Sequence, residues 1–503
     1  MRRVGAWMAG TALILVSLGT AVVTAGPASA RFIDFTDSTM KPVKSLWGGA
    51  TGLDAPAGVA FDDSGLMYVA NMEDRSVTAY AADWAGGNTT PVKTLQGSST
   101  LLVMPVAIAF DDDQNMYVAN SDSITVYGPN WKDGDNAPIK ILRGAGTEMM
   151  HPHAIAFDSI GQMYVASSFE TMGFVRGSVT VYPADWQRID TPPVARLVGN
   201  DTGLVRPTGL TFDPEGNMYV VNAYGVSVFA PGWDDPDTAP LKVLGGPGSG
   251  MDGPRTVALD DEGYMYVANA SRGFVGRPHV AIYEPDWSGG QTPPVGAIYG
   301  IYSLLTDPYG IALDDAGRIY VTNQTDNSVT VYQTQTISFE PTSSVPWTTR
   351  DVTITATATS GLPVTITSTS PDVCSGSGTS PLTVKIHKLG TCTFDADQPG
   401  ETGWITAPTV SDSFQVTAAS QTITITQPAD TPLSQKWVRV RATTTSRLPV
   451  VWTSSTPDVC GHRQGFGQRV TLVSAGTCEL TATQRDNRLW DYASQSVSFN
   501  VTQ

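Results

Sequence analysis

The sequence predicts an all-β protein: a six-bladed β-propeller whose N-terminal strand closes the last blade, followed by two small β-sandwiches. Three observations predict it. A proline, a short apolar strand, an Asp/Gly turn and a strand close to Met-Tyr-Val-Ala-Asn recur six times. A lone strand sequence stands ahead of the first copy, and the last copy is one strand short. The final third then repeats a different unit twice, with two cysteines in each copy.

The six copies are GVAFDDSGLMYVAN (58–71), AIAFDDDQNMYVAN (107–120), AIAFDSIGQMYVAS (154–167), GLTFDPEGNMYVVN (209–222), TVALDDEGYMYVAN (256–269) and GIALDDAGRIYVTN (310–323). They are led by Pro56, Pro105, Pro152, Pro207, Pro254 and Pro308, at steps of 47 to 55 residues. A third strand such as SVTAY (76–80) or SVTVY (178–182) follows, then a loop bearing Trp84, Trp131, Trp186, Trp233 or Trp287, then a fourth strand such as PVKTLQG (91–97). Period-two alternation bounded by Gly, Pro, Asn and Asp marks half-buried strands. Four strands per repeat at this period make a propeller blade.

The sixth repeat stops after SVTVY (328–332), while KPVKSLWGG (41–49) precedes the first repeat and matches its fourth strand. The chain's start is therefore expected to supply the outer strand of blade six, which removes an open edge. The run from proline through strand, Asp/Gly turn and Tyr-Val-Ala-Asn resembles the NHL-repeat family over residues 41–332. That resemblance implies a six-bladed propeller used for ligand binding or sensing, related in shape to propeller lactonases and lyases. One scaffold of this kind hosts unrelated functions.

In the C-terminal third, SGLPVTITSTSPDVC (360–374) matches SRLPVVWTSSTPDVC (446–460), and LGTC (389–392) matches AGTC (475–478), at a constant offset of 86 residues. Thr/Val/Ser-rich strands in units of this length suggest sandwiches, and they resemble bacterial Ig-like repeats. Four cysteines allow three pairings. Duplicated units most simply close on themselves, Cys374 with Cys392 and Cys460 with Cys478, with free buried thiols as the alternative. Zinc-type spacing is absent. The expected domains are a propeller at 31–334 and Ig-like units at 335–419 and 420–503.

Arg2 and Arg3, an apolar stretch and Ala28-Ser29-Ala30 read as a secretory signal peptide over 1–30, with an uncleaved anchor as the competing reading. Its removal takes the formal charge from −17 to −19. Residues 31–335 hold 17 basic and 35 acidic side chains, which argues against nucleic acid and against an anionic membrane surface. A secreted or extracellular protein is expected, with no transmembrane segment in the mature chain and with cell-surface association open.

Much of the acid lies in the turns between first and second strands and in the Trp loops. Those turns are ordinary hairpin chemistry and lack calcium-loop spacing. The Trp residues and the Asn at the end of each second strand read as fold anchors. Symmetry breaks on the opposite face, where the residue after each leading proline points at the channel: Ala57, Val106, His153, Thr208, Arg255 and Tyr309. The loops between second and third strands are expanded at 167–177 and 269–279, and each carries Gly-Phe-Val beside arginine.

His151, His153, Arg176, Arg206, Thr208, Arg255, Arg272, Arg277 and His279 are thus expected around one mouth, against Glu170, Asp201 and Asp252. Arginine's fork suits carboxylate or phosphate. The ligand-binding set is His153, Arg176, Thr208, Arg255, Arg272, Arg277 and Tyr309, for an extracellular anionic small molecule, glycan or protein ligand. No Ser/His/Asp grouping appears, and the channel ring offers no carboxylate for a lactonase-type metal, so no cofactor or metal is assigned. A partial site from His151, His153 and His279 is the metal alternative. Binding without catalysis is the favoured reading; a lyase or lactone hydrolase at the same mouth, and a structural adhesin, are the alternatives.

Overall fold

A computed structural model of the chain describes residues 41–171, 174–270, 277–401, 404–405, 407–461 and 468–503. The leader expected at 1–30 lies outside these residues, as do Arg272 and His462. Residues 44–333 form six four-stranded antiparallel sheets. Blade one runs from the channel outward as Pro56–Phe61, Met67–Asn71, Ser76–Tyr80 and Lys93–Leu95. The middle strands of such a blade are buried along their whole length, because each sheet is covered on both faces by its neighbours. This is why Met-Tyr-Val-Ala-Asn is nearly continuous in apolar residues instead of alternating with polar ones.

Near the axis the innermost strands touch backbone to backbone. A Cβ on Gly58 would lie 2.8 Å from the Ala107 Cα, and one on Gly310 would lie 2.2 Å from the Ala57 carbonyl oxygen, so only glycine fits there. The ring closes as the sequence predicts: Lys44–Leu46 pairs antiparallel with Ser328–Gln333, with Lys44 opposite Val331 and Leu46 opposite Val329. At the inner edge of the same seam, the Thr322 hydroxyl donates to the Ala57 carbonyl at 2.6 Å and accepts from the Gly310 N–H at 2.7 Å.

The lower face, which bears the Asp/Gly turns, repeats two devices. Asp62 accepts the N–H groups of Ser64 (2.9 Å) and Leu66 (3.0 Å) and the Tyr68 hydroxyl (2.9 Å). The Tyr–Asp bond recurs as Tyr117–Asp111, Tyr266–Asp260 and Tyr320–Asp314. Burial, reinforced by the carboxylate, holds the Tyr68 phenol well above its ordinary range. Four of the five Trp loops are in turn clasped by the preceding blade. The Lys44, Lys93, Lys140 and Lys242 ammoniums sit 5.4, 5.1, 5.3 and 5.0 Å from the ring centroids of Trp84, Trp131, Trp186 and Trp287, in cation–π range. The tryptophans therefore staple blade to blade as well as holding their own loops. Ala195 stands at the corresponding outer-strand position of blade three.

Blade six has no Trp loop, and Ile405 takes that place from the C-terminal region. It is 3% exposed and packs with Ile298 of blade five and Ile311 and Tyr332 of blade six. Its N–H donates to the Gln333 carbonyl at 2.9 Å. The Gln335 amide donates to the Ile405 carbonyl at 2.6 Å. An equivalent lock recurs 86 residues on, where the Gln421 amide donates to the Asp491 carbonyl at 2.6 Å.

Residues 337–502 form two successive β units. The larger sheet of the first orders its strands Val345–Pro346, Val410–Thr417, Gly390–Asp397, Thr365–Ser368 and Ser377–Thr379; a three-stranded sheet of Asp351–Ile354, Leu382–Ile386 and Cys374–Ser375 accompanies it. Among the described residues the second unit repeats the other strands of this arrangement; the positions 86 residues after Ser377–Thr379 lie outside them. Both expected disulfides are formed, Cys374–Cys392 and Cys460–Cys478, with Cα separations of 5.7 and 5.5 Å. All four cysteines lie fully inside the two cores. Loops of 18 residues closed in this way are stabilised by about 3 kcal/mol in the chain-entropy model. No helix among the described residues is long and apolar enough to cross a membrane.

Candidate ligand mouth

The upper face is built from the loops that enter each blade before its leading proline. The residue preceding that proline is left-handed in every blade: Ala55, Met104, His151, Arg206, Gly253 and Asp307 have φ of 48°, 49°, 46°, 49°, 65° and 75°. A side chain in this conformation costs roughly 1–2 kcal/mol, so the loops need support. In four blades the repeated asparagine provides it. The side-chain oxygens of Asn71, Asn120, Asn269 and Asn323 accept the N–H groups of Asp54, Val103, Asp252 and Thr306, at 3.3, 3.0, 3.0 and 3.1 Å.

Blades three and four depart from this pattern. Blade three has Ser167 where blade one has Asn71, each opposite its leading proline. In blade four the Asn222 oxygen turns to the Tyr224 N–H at 3.1 Å. These two adjacent blades also hold three buried polar atoms with no hydrogen-bond partner among the described residues: His153 Nδ1, Ser167 Oγ and Thr208 Oγ1. Leaving such groups unsatisfied costs about 1–3 kcal/mol each, which a bound ligand or water would recover.

The ring residues divide by hemisphere. Tyr309, Ala57 and Val106, on blades six, one and two, are buried and pack together with Met72. His153, Thr208 and Arg255, on blades three, four and five, are half-buried and polar. The Arg255 side chain is 18% exposed, lies 5.1 Å from the Tyr309 ring centroid, and reaches Asp307 at 3.9 Å. His153 Nε2 is 2.9 Å from Ser168 Oγ. Burial lowers the His153 pKa from 6.5 to about 4, helped by the neighbouring His151, Arg206 and Arg255. At neutral pH His153 is therefore an uncharged hydrogen-bonding group, and the cationic character of the mouth comes from arginine. Beneath the ring, Val106, His153, Gly209, Thr256 and Gly310 line a channel cavity of about 90 Å³.

The remaining expected residues are distributed unevenly. Arg176, on the extended hairpin Met163–Thr171 and Phe174–Tyr182, is exposed and donates to Asn200 Oδ1 at 2.5 Å. Arg206 is exposed on the loop before Thr208, and Arg277 is exposed ahead of strand His279–Tyr283. His279 does not face the mouth. It is 1% exposed, with Nδ1 at 3.1 Å from the Arg277 carbonyl and Nε2 at 2.8 Å from the Gly250 carbonyl, which removes it from the three-histidine grouping. Among the described residues no cluster of three metal-ligating side chains occurs. Sequence reasoning missed Ser167, Ser168 and Asp307. The first was visible as Val-Ala-Ser replacing Val-Ala-Asn in the third copy.

No protein family profile and no curated protein matches the chain. Among solved structures it is similar to a gluconolactonase from Xanthomonas campestris (TM-score 0.39, 16% identity, covering 56% of this chain and 86% of that one). It is similar also to streptogramin B lyase (0.38, 10%, 57% and 95%) and to luciferin-regenerating enzyme (0.41, 14%, 56% and 91%). Likeness at this level says nothing of substrate or chemistry.

Proposed function

We propose that this is an exported recognition protein in which the upper mouth of an NHL-like propeller (31–334) binds an anionic ligand without catalysis. Two bacterial Ig-like units (335–419 and 420–503) then act as spacers. The observation that carries this reading is the coincidence, on blades three and four alone, of a departed asparagine clamp with three unpartnered buried polar atoms. His153, Thr208 and Arg255 would contact the ligand, Tyr309 would give it an apolar wall, and Arg176, Arg272 and Arg277 would approach from the expanded loops. The equivalent Gln335 and Gln421 locks support the spacer role, since they tie each unit to the segment that enters it.

Calorimetric titration with glucuronate, galacturonate and phosphorylated glycans tests the proposal. Arg255→Ala should weaken whichever anion binds by ten- to a hundredfold, the effect of losing a charge-assisted contact of about 1.5–3 kcal/mol, with the thermal melt retained. Binding indifferent to this substitution would move the site elsewhere.

A second reading, a lyase or lactone hydrolase at the same mouth, is favoured by one observation. His153 is neutral at physiological pH and lies 2.9 Å from the Ser168 hydroxyl, so its imidazole is able to take a proton. Turnover of a lactone panel that disappears in His153→Ala would establish it.

A further inference from the structure

The apolar hemisphere of the mouth continues outward into solvent. Leu101 and Met104, on the loop entering blade two, are 40% and 44% exposed, and Leu304, on the loop entering blade six, is 47% exposed. All three have positive φ, at 58°, 49° and 58°. Their loop conformation does not require a side chain. Where blades two and six carry Leu101 and Leu304, blades one, four and five carry Gly52, Gly203 and Gly250, also at positive φ. Glycine is the residue this backbone favours. Large apolar side chains are thus kept on the rim against both backbone preference and hydration, and strain of this kind concentrates at functional sites.

Size narrows where the ligand sits. The channel cavity below the ring, with Val106, His153, Gly209 and Thr256 in its wall, is only about 90 Å³, roughly three waters' worth of volume, so a ligand held at Arg255 and Thr208 stays at the level of the mouth. Whatever anion enters must therefore draw its other contacts from the rim. There it meets apolar groups at two separated places, Met104 on blade two and Leu304 on blade six, and cationic groups across the mouth, Arg206 and Arg255. Two apolar side groups with an anion between them describe a polypeptide. A single acyl chain has one apolar arm, and an acidic glycan has none.

We propose that the ligand is an extended peptide segment of a partner protein. An Asp or Glu side chain enters the mouth toward Arg255 and Thr208, and the apolar residues beside it lie on Met104 and Leu304. The inference rests on the mouth reading above and names its ligand class. It also gives a reason for residues the small-anion reading leaves idle.

The test is selection of a random peptide library on the full-length exported protein, with Arg255→Ala and Met104→Gly/Leu304→Gly as parallel baits. Enriched peptides should share an acidic residue with an apolar residue on each side. A synthetic representative should lose at least about tenfold in affinity on either bait, and again when its acid is replaced by the amide. The glycine bait should melt no lower than wild type, because glycine relieves the left-handed strain, so lost binding there cannot be lost folding. Selection no better than on Arg255→Ala, consensus peptides without an acid, or indifference to the glycine bait would each overturn the proposal. Arg255-dependent binding of glucuronate without peptide selection would sink it while leaving the mouth reading standing; if neither binds, both fail. Rim-dependent capture of anionic vesicles would replace the peptide by a lipid surface.

Discussion

The two faces of the propeller use polar residues in opposite ways. On the lower face Asp62, Asp111, Asp260 and Asp314 each accept a Tyr hydroxyl from their own blade, and four lysines each lie over the tryptophan of the next. Charge there is abundant, repeated and satisfied. On the upper face the repeat falters in blades three and four, and polar atoms are left without partners. The difference teaches that an acidic residue count says little about where a ligand binds. What distinguishes a candidate site is a polar group that the fold has buried and then declined to satisfy.

Both faces depend on a closed ring, and closure is where the largest effects are expected. Removing Lys41–Gly48 takes away the outer strand of blade six, and calorimetry should show the whole propeller losing its cooperative transition. A truncated chain that melts unchanged would mean the ring does not depend on this strand. Ile405→Asp places an unpaired carboxylate in the seam between blades five and six and should cost about 3–5 kcal/mol in urea unfolding.

Asn120→Ala should cost about 1–3 kcal/mol, since it orphans the Val103 N–H. Ser167→Asn should do the reverse in blade three, adding about 0.5–1.5 kcal/mol by restoring the clamp, and should weaken ligand binding if the missing clamp belongs to the site. Equal stability in wild type and Ser167→Asn would show that the asparagine clamp has no place in blade three.

The last expected effect is pH-dependent. The folded pKa of His153, about 4, lies below its ordinary 6.5, so as pH falls the unfolded chain takes up this proton first. Its contribution to stability should be complete above about pH 6.5, decline as pH falls, and level off near pH 4. Melting curves across this window should show wild type losing more than His153→Gln, and parallel curves would refute the depressed pKa.

The repeated parts of the molecule were legible because repetition is itself the signal. Six copies placed the blades, the orphan Lys44–Leu46 strand found its partner from a missing strand, and a constant offset paired the cysteines. The six positions from Ala57 to Tyr309 could be named in the same way, as the residue after each leading proline, and two of them, Val106 and His153, line the channel cavity. What escaped was set by contacts between distant segments. Nothing in the neighbourhood of Ile405 says that it replaces a tryptophan loop. His279 looked like a mouth residue from its place in an expanded loop, yet the register of its strand turns both ring nitrogens onto carbonyls. The hydrogen bond between the Asn120 side chain and the Val103 N–H spans 17 residues, far enough that sequence suggested only a local turn contact.

The closing strand also sets an order of events in the cell. Lys44–Leu46 is made well before its partner Ser328–Gln333, which is the last strand of the ring. Until that strand emerges, blade six cannot form and the growing array exposes strand edges at both ends, each a template for mispairing. Ile405 arrives later still, so the seam between blades five and six stays unplugged after the ring has closed. In this order the chain passes through its most aggregation-prone interval as a cysteine-free partial ring, with both disulfides still to form in the part that follows. Protection during that interval has to come from chaperones or from fast blade-by-blade folding, because no covalent bond is available to supply it.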